Sequence, residues 1–209
     1  MQVITRPLQK VTAFITRQTN KGQELLVFMH PFSGVQLPAG TVEPNEPPEK
    51  AVLRETREET GLTIPMQQVV KLGMVTFQYP SDEGVLLQDA MLQSTPQHDA
   101  TLMRHILTRG LTVEVGQRFK GFARVTYRET DKNGNDRTCQ TGWVPESSLG
   151  SQLERHLFHL KVADDTPDRW SHIADHGYIF ELYWVSLDSD PGLHPIQADW
   201  LKAARGYGL

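Results

Sequence analysis

Apolar and polar positions divide the chain into a series of short elements. Residues 10–18 and 24–29 read as two strands, separated by the turn-prone Thr19-Asn20-Lys21-Gly22. The stretch 34–40 reads as a loop-rich connection with a short apolar centre. Pro44 to Pro48 then leads into a charged segment of helical character. Pro47 and Pro48 suit a first helical turn, Asn45 is placed to cap it, and Gly61 suits the exit after Thr60. A strand is predicted over 68–79.

Farther along, Thr95-Pro96 opens a predicted helix running to Arg109, with Leu102, Met103, Ile106 and Leu107 at helical spacing. Over 118–129, Ala123, Val125 and Tyr127 alternate with Arg124, Thr126 and Arg128, the period of a strand. Residues 131–136 form a turn, and 137–144 is the expected return strand, ending in Trp143-Val144-Pro145. Two more strands are expected over 155–162 and 177–187, joined by a polar loop from Ala163 to His176. A last helix starts at Pro195, with Ile196, Trp200, Leu201 and Ala204 as its apolar face.

Composition narrows the class. The 209 residues are 38% hydrophobic and 22% charged, values that suit a soluble globular chain with a real core. The longest apolar stretches, such as Tyr178 to Leu187, fall well short of the ~20 residues of a membrane span. The first residues mix charge with apolar side chains rather than forming a signal-peptide core, so a cytoplasmic location is expected. Cys139 is the single cysteine, which leaves no intrachain disulfide and no cysteine-based zinc cluster.

The formal charge of −4 argues against a general nucleic-acid or anionic-membrane binder. Its distribution is uneven. Residues 101–141 carry eight basic against four acidic side chains, while the rest of the chain carries 13 against 21. That contrast fits either a module with its own surface or a solvated hairpin.

The chemistry concentrates in the helix before Gly61. Glu55, Glu58 and Glu59 are spaced i, i+3 and i+4, so three carboxylates share one face and repel. Arg54, which reaches Glu58 at i+4, and Arg57 offer part of the compensation. A divalent cation offers more, since hard oxygens on a rigid face suit Mg²⁺. A solvated acidic helix face is the alternative reading of this spacing alone.

The surrounding text decides between them. Gly40, Glu46 and then Arg54-Glu55-Thr56-Arg57-Glu58-Glu59-Thr60-Gly61-Leu62 closely resemble the Nudix box, G-x5-E-x7-R-E-U-x-E-E-x-G-U, where U is a bulky aliphatic residue. Every fixed position matches, and one U position departs: Thr56 stands where Ile, Leu or Val is usual. Gln36-Leu37-Pro38-Ala39 resembles the family's lead-in to the box.

The resemblance implies an α/β/α sandwich with a mixed sheet, in which the box forms a loop–helix–loop. It implies hydrolysis of a nucleoside diphosphate linked to another moiety, a small-molecule partner, with Mg²⁺ or Mn²⁺ as cofactor. It makes Glu55, Glu58 and Glu59 metal ligands, with the Gly40 carbonyl a further one. Arg54 would orient the glutamates, Glu46 would support the loop, and Gly61 would permit the turn. A box glutamate, Glu55 or Glu58, is expected to accept the proton of the attacking water, and Glu181 is the alternative base or ligand. Glu181 sits in an otherwise apolar strand and shares a face with Ile179, Tyr183 and Val185.

Trp170 is a candidate to stack on a base, and Tyr183 joins it as a substrate-contact candidate. Asp164, Asp165, Asp168 and Asp175 are candidates to extend the metal site. His156, His159, His172 and His176 carry no zinc motif and read as structural or surface histidines.

The whole chain reads as one such domain with an insertion at about 81–150, which the minimal family domain lacks. Its Gly142-Trp143-Val144-Pro145 resembles, over four residues, the ending of SH3-like barrels. A lid, a homodimerisation element and a small β subdomain are the roles open to it. No second signature of the coenzyme A, ADP-ribose or dinucleoside-polyphosphate branches is found. A non-catalytic nucleotide sensor is the rival function. A Nudix-fold isomerase would need a catalytic cysteine, and Cys139 lies in the insertion.

Overall fold

The computed structural model describes residues 7–98, 100–131, 133–163, 165–174 and 177–209, with the side chains of 104 and 105 excepted. The candidates Asp164, Asp175 and His176 lie outside the described residues. In chain order, the first run is β1 (Leu8–Thr19), β2 (Gly22–His30), β3 (Gly34–Gln36), β4 (Ala39–Thr41), α1 (Pro48–Thr60) and β5 (Val69–Gln78). The second is β6 (Glu83–Leu86), β7 (Ala90–Gln93), β8 (Leu102–Leu107), β9 (Thr112–Phe119), β10 (Phe122–Thr130), β11 (Asp136–Pro145) and β12 (Leu149–Gly150). The third is β13 (Gln152–Lys161), β14 (Arg169–Ile173), β15 (Ile179–Ser186) and α2 (Pro195–Gly206).

Two compact units result, Gln9–Val75 with Arg155–Leu209, and Thr76–Glu154 with the described end of Met1–Leu8. The first is built on a sheet of order β14-β15-β2-β1-β13-β5, with β3 paired to β2 and β4 to β1. Its central strands are buried on both faces, and the alternation of side chains explains how. Val11, Ala13 and Ile15 of β1, Leu26 and Phe28 of β2, and Phe158 and Leu160 of β13 cluster with Ala51 and Val52 of α1. The intervening Phe14, Leu25, Val27 and Leu157 cluster with Leu201 and Ala204 of α2. One helix therefore covers each face, which is the α/β/α sandwich expected, and the central strands read as nearly continuous apolar runs. Phe14, Phe28 and Phe158 are fully buried, and such burial contributes about 1.5–3 kcal/mol per side chain.

The second unit is a sheet of order β12-β6-β9-β10-β11-β7-β8. Its core includes Leu86, Leu92, Leu107, Val113, Ala123, Val125 and Val144. Three of its arginines are paired with acids: Arg128 meets Asp136 and Glu114, Arg137 meets Glu129, and Arg118 meets Glu146.

Several expectations need correction. The helix expected from Thr95 to Arg109 is absent among the described residues, and the strand β8 occupies Leu102–Leu107. A short apolar run satisfies both periods, and here the backbone found partners on β7, Ala90 opposite Leu107 and Met91 opposite Ile106. The strand expected over 118–129 is broken by Lys120-Gly121, with φ of 49° and 81°. Positive φ at both central residues is the signature of a two-residue hairpin turn, so β9 and β10 fold back on each other. The polar loop 163–176 contains β14, which pairs antiparallel with β15.

Asn45 does not cap α1. The N-cap is Pro47, which has no side-chain capping bond, and its carbonyl accepts from Lys50 and Ala51 instead. In α2, Ile196 is 56% exposed. Gln197 is buried in its place, its Oε1 accepting the Leu37 N–H at 2.6 Å.

Candidate active site

Helix α1 owes its position to one buried stripe, with Val52, Thr56 and Thr60 turned towards the sheet beside Ala51. Glu55, Glu58 and Glu59 are spaced to border that stripe, and all three are half-buried. Gly61 ends the helix at φ 75°, its N–H donating to the Arg57 carbonyl. Thr56 Oγ1 is buried and has no hydrogen-bond partner among the described residues. At this position an aliphatic side chain would fill the same space without an orphaned hydroxyl.

Arg54 is the hub. Its Nε and Nη2 donate to the two oxygens of Glu46, each at 3.0 Å. Nη1 donates to Glu55 and to Glu58, both at 2.9 Å, and Nη2 also donates to the Thr41 carbonyl at 3.1 Å. The Arg54 hydrogen bonds, led by a charge-assisted fork, hold the Glu46 carboxyl below its ordinary pKa. Glu46 in turn leads the causes that raise the Arg54 pKa further. The i, i+4 contact between Arg54 and Glu58 is present as expected, whereas Arg57 is exposed.

The loop before α1 lies directly on the carboxylates. A Cβ on Gly40 would sit 1.9 Å from Glu55 Cδ, so any side chain there would displace the Glu55 carboxylate. Glu59 accepts the Ala39 N–H at 2.8 Å, and Glu46 accepts the Glu43 N–H at 2.9 Å. Glu55 and Glu58 thus converge on Arg54, and Glu59 on the loop backbone. Accordingly, among the described residues no three His, Cys, Asp or Glu side chains are drawn together as a metal cage. The donor set itself fits a divalent cation, because it offers three hard carboxylates on one helical turn beside the Gly40 backbone.

Strand β14 approaches the far end of α1. Trp170 donates its indole N–H to the Thr60 carbonyl at 2.8 Å, and its ring packs with the α1-side core. Its polar edge is thus engaged and its body is half-buried. His172 Nε2 lies 3.1 Å from the Glu58 carbonyl, which can only accept, so this nitrogen carries the proton.

Glu181 and Tyr183 alternate with Phe180, Leu182 and Trp184, which belong to the α1-side cluster, so they lie on the opposite face of β15. Glu181 is exposed and accepts the Ser171 hydroxyl at 2.6 Å. Tyr183 packs towards the α2-side core under the Arg169 guanidinium, and burial raises its hydroxyl pKa.

Asp168, 92% exposed, pairs with Arg17. Asp165 lines a cleft of about 460 Å³ with Leu62, Ile64, Pro65 and Lys161. Among the histidines, His159 is buried and bonded to Thr16 at 2.7 Å, and His156 is buried. Sequence reasoning missed the Ala39 N–H and Thr41 carbonyl, which are backbone groups with no residue-type signal. It placed His172 among structural histidines without its partner.

Across residues 8–162 the chain matches the family model described as NUDIX domain. No curated protein matches it. Among solved structures it is similar to the NUDIX domain of Shewanella oneidensis NrtR complexed with ADP ribose, at 13% identity and a TM-score of 0.48 over 97% of this chain and 89% of that one. It is similar to a C. elegans Ap4A hydrolase binary complex at 14% identity and a TM-score of 0.44, covering 95% and 96%. A MutT protein from Methanosarcina mazei Go1 shows 17% identity and a TM-score of 0.42, covering 99% and 96%.

Proposed function

This chain belongs to the Nudix hydrolase family, and from that premise we propose that it is a divalent-cation-dependent pyrophosphohydrolase acting on a nucleoside diphosphate derivative. The observation that carries the reading is the pairing of Glu55 and Glu58 on one guanidinium, with the Glu55 carboxylate in the space that a side chain at Gly40 would fill. Glu55, Glu58 and Glu59, with the Gly40 carbonyl, would hold Mg²⁺ or Mn²⁺. When bound, the cation supplies charge neutralisation on the phosphoryl oxygens and lowers the pKa of a coordinated water.

The chain's own groups do the rest. Arg54 holds Glu55 and Glu58 facing one another, and Glu46 fixes the guanidinium by a two-point grip. Water oxygen attacks phosphorus, the bond from that phosphorus to the bridging oxygen breaks, and the leaving phosphate departs. The proton of the water passes to a box glutamate, Glu55 or Glu58, with Glu181 as the alternative acceptor.

A panel of nucleoside diphosphate derivatives with Mg²⁺ or Mn²⁺ tests this. Hydrolysis that vanishes in Glu58→Gln is the expected result. Nucleotide binding with no phosphate release from any compound would replace the hydrolase with a sensor. Near-normal turnover in Glu181→Gln would remove Glu181 from any essential role.

A further inference from the structure

We propose that Trp170 and His172 are positioning residues for the glutamate face: strand β14 clamps the carboxyl end of α1 and so sets where Glu55, Glu58 and Glu59 stand. The inference rests on the metal-dependent reading above.

A helix leaves its last four carbonyls without intrahelical partners. Three of those in α1 have partners here. The Arg57 carbonyl accepts the Gly61 N–H, the Glu58 carbonyl accepts His172 Nε2–H, and the Thr60 carbonyl accepts the Trp170 indole N–H. Two of the three donors come from one strand more than a hundred residues away, and Trp170 and His172 project from the same face of it.

The fit is close. A Cβ on Gly61 would lie 2.9 Å from His172 Nδ1 and 3.2 Å from Cε1, so the helix exit and the imidazole are in mutual contact. The intervening Ser171, on the opposite face, donates to Glu181. One strand therefore holds both the backbone of Glu58 and the carboxylate of the alternative base.

The other end of the carboxylate face is fixed by Arg54, through Glu46 and the Thr41 carbonyl. Held at both ends, the turn carrying the three glutamates has a single register against Ala39 and Gly40. The clamp acts on backbone carbonyls rather than on the carboxylates, so its loss moves the ligand set without removing a ligand. Outer-shell partners of this kind typically change metal affinity or activity by about 10–100-fold.

The test uses the full chain in three variants. Trp170→Phe keeps an aromatic ring in the core but deletes the donor with the pyrrole half of the indole, His172→Ala deletes the clamp, and His172→Gln retains an N–H of similar reach. Mn²⁺ binding is followed by electron paramagnetic resonance, and turnover is measured on the best compound of the panel above. Trp170→Phe and His172→Ala are expected to weaken Mn²⁺ binding about tenfold and to lower kcat with KM unchanged. His172→Gln is expected to restore both.

Unchanged Mn²⁺ affinity in both deletions, or losses that His172→Gln leaves in place, would overturn the clamp. If His172→Ala fails to fold, Trp170→Phe decides alone, because it leaves His172 and its bond to the Glu58 carbonyl in place. A wild-type protein that binds no Mn²⁺ overturns the metal reading itself and the clamp with it. Wild-type binding with indifferent variants overturns the clamp alone.

Discussion

Thr56 and Gly40 show how much a single side chain decides in this protein. Thr56 is fully buried and its hydroxyl has no partner among the described residues, so it carries a desolvation penalty that valine would not. Thr56→Val should therefore raise the stability of the fold by about 1 kcal/mol, read as a higher urea midpoint with unchanged slope. Gly40→Ala should do the opposite to function. The added carbon falls within the Glu55 carboxylate, which must move, and a displacement of about 1 Å in an active site can cost about 100-fold in rate. A kcat within twofold of wild type would show that Glu55 does not need its observed place. Both residues were legible from the chain, since the box spacing marks Gly40 and singles out Thr56. What spacing did not reveal was that Thr56 Oγ1 finds no acceptor, because that depends on every neighbour around the helix.

The elements behaved according to where their partners lie. Helix α1 was readable because its signals are local: prolines at its start, carboxylates one turn apart, and glycine at its exit. Its exit is also the most exposed to disruption. Gly61 holds φ 75° against the His172 ring, so Gly61→Ala combines left-handed backbone strain with a steric clash. A loss of about 1–3 kcal/mol is expected in denaturant melts, larger than for alanine elsewhere on the exposed face of α1.

Strands β8 and β14 were not readable in the same way. The run Leu102 to Leu107 satisfies a helical period, but hydrogen bonding to β7 made it a strand. Residues 169–173 lack a long apolar run, yet β15 recruits them and turns Trp170 and His172 to α1. Pairing across a sheet is a non-local choice that local pattern cannot resolve.

At the scale of the whole molecule, pH exposes how the fold uses its ionisable groups. Burial, with Lys161 adding to it, lowers the His159 pKa, so the folded chain prefers the neutral imidazole that bonds to Thr16. The unfolded chain takes up the proton first. Stability is full above the ordinary histidine pKa, about 6.5, and falls as pH drops below it. Glu46 has a depressed carboxyl pKa, so its contribution is present above the ordinary glutamate range, roughly pH 4 to 5, and is lost as pH falls through the folded value. Thermal midpoints measured from pH 7 downward should thus decline in two windows. His159→Gln should flatten the first and Glu46→Gln the second. A first window that survives in His159→Gln would assign it to another group.

By itself the sequence determined the glutamate helix, because its spacing of a few residues is translated directly by local geometry, and the resemblance of its box to the Nudix signature implied the family and the sandwich core. Tertiary structure alone decided which strands flank that helix, which face of β15 carries Glu181, and which distant groups grip Glu58 and Glu59. Those outcomes rest on hydrogen bonds and packing between residues far apart in the chain, and such partners are chosen only when the sheet assembles.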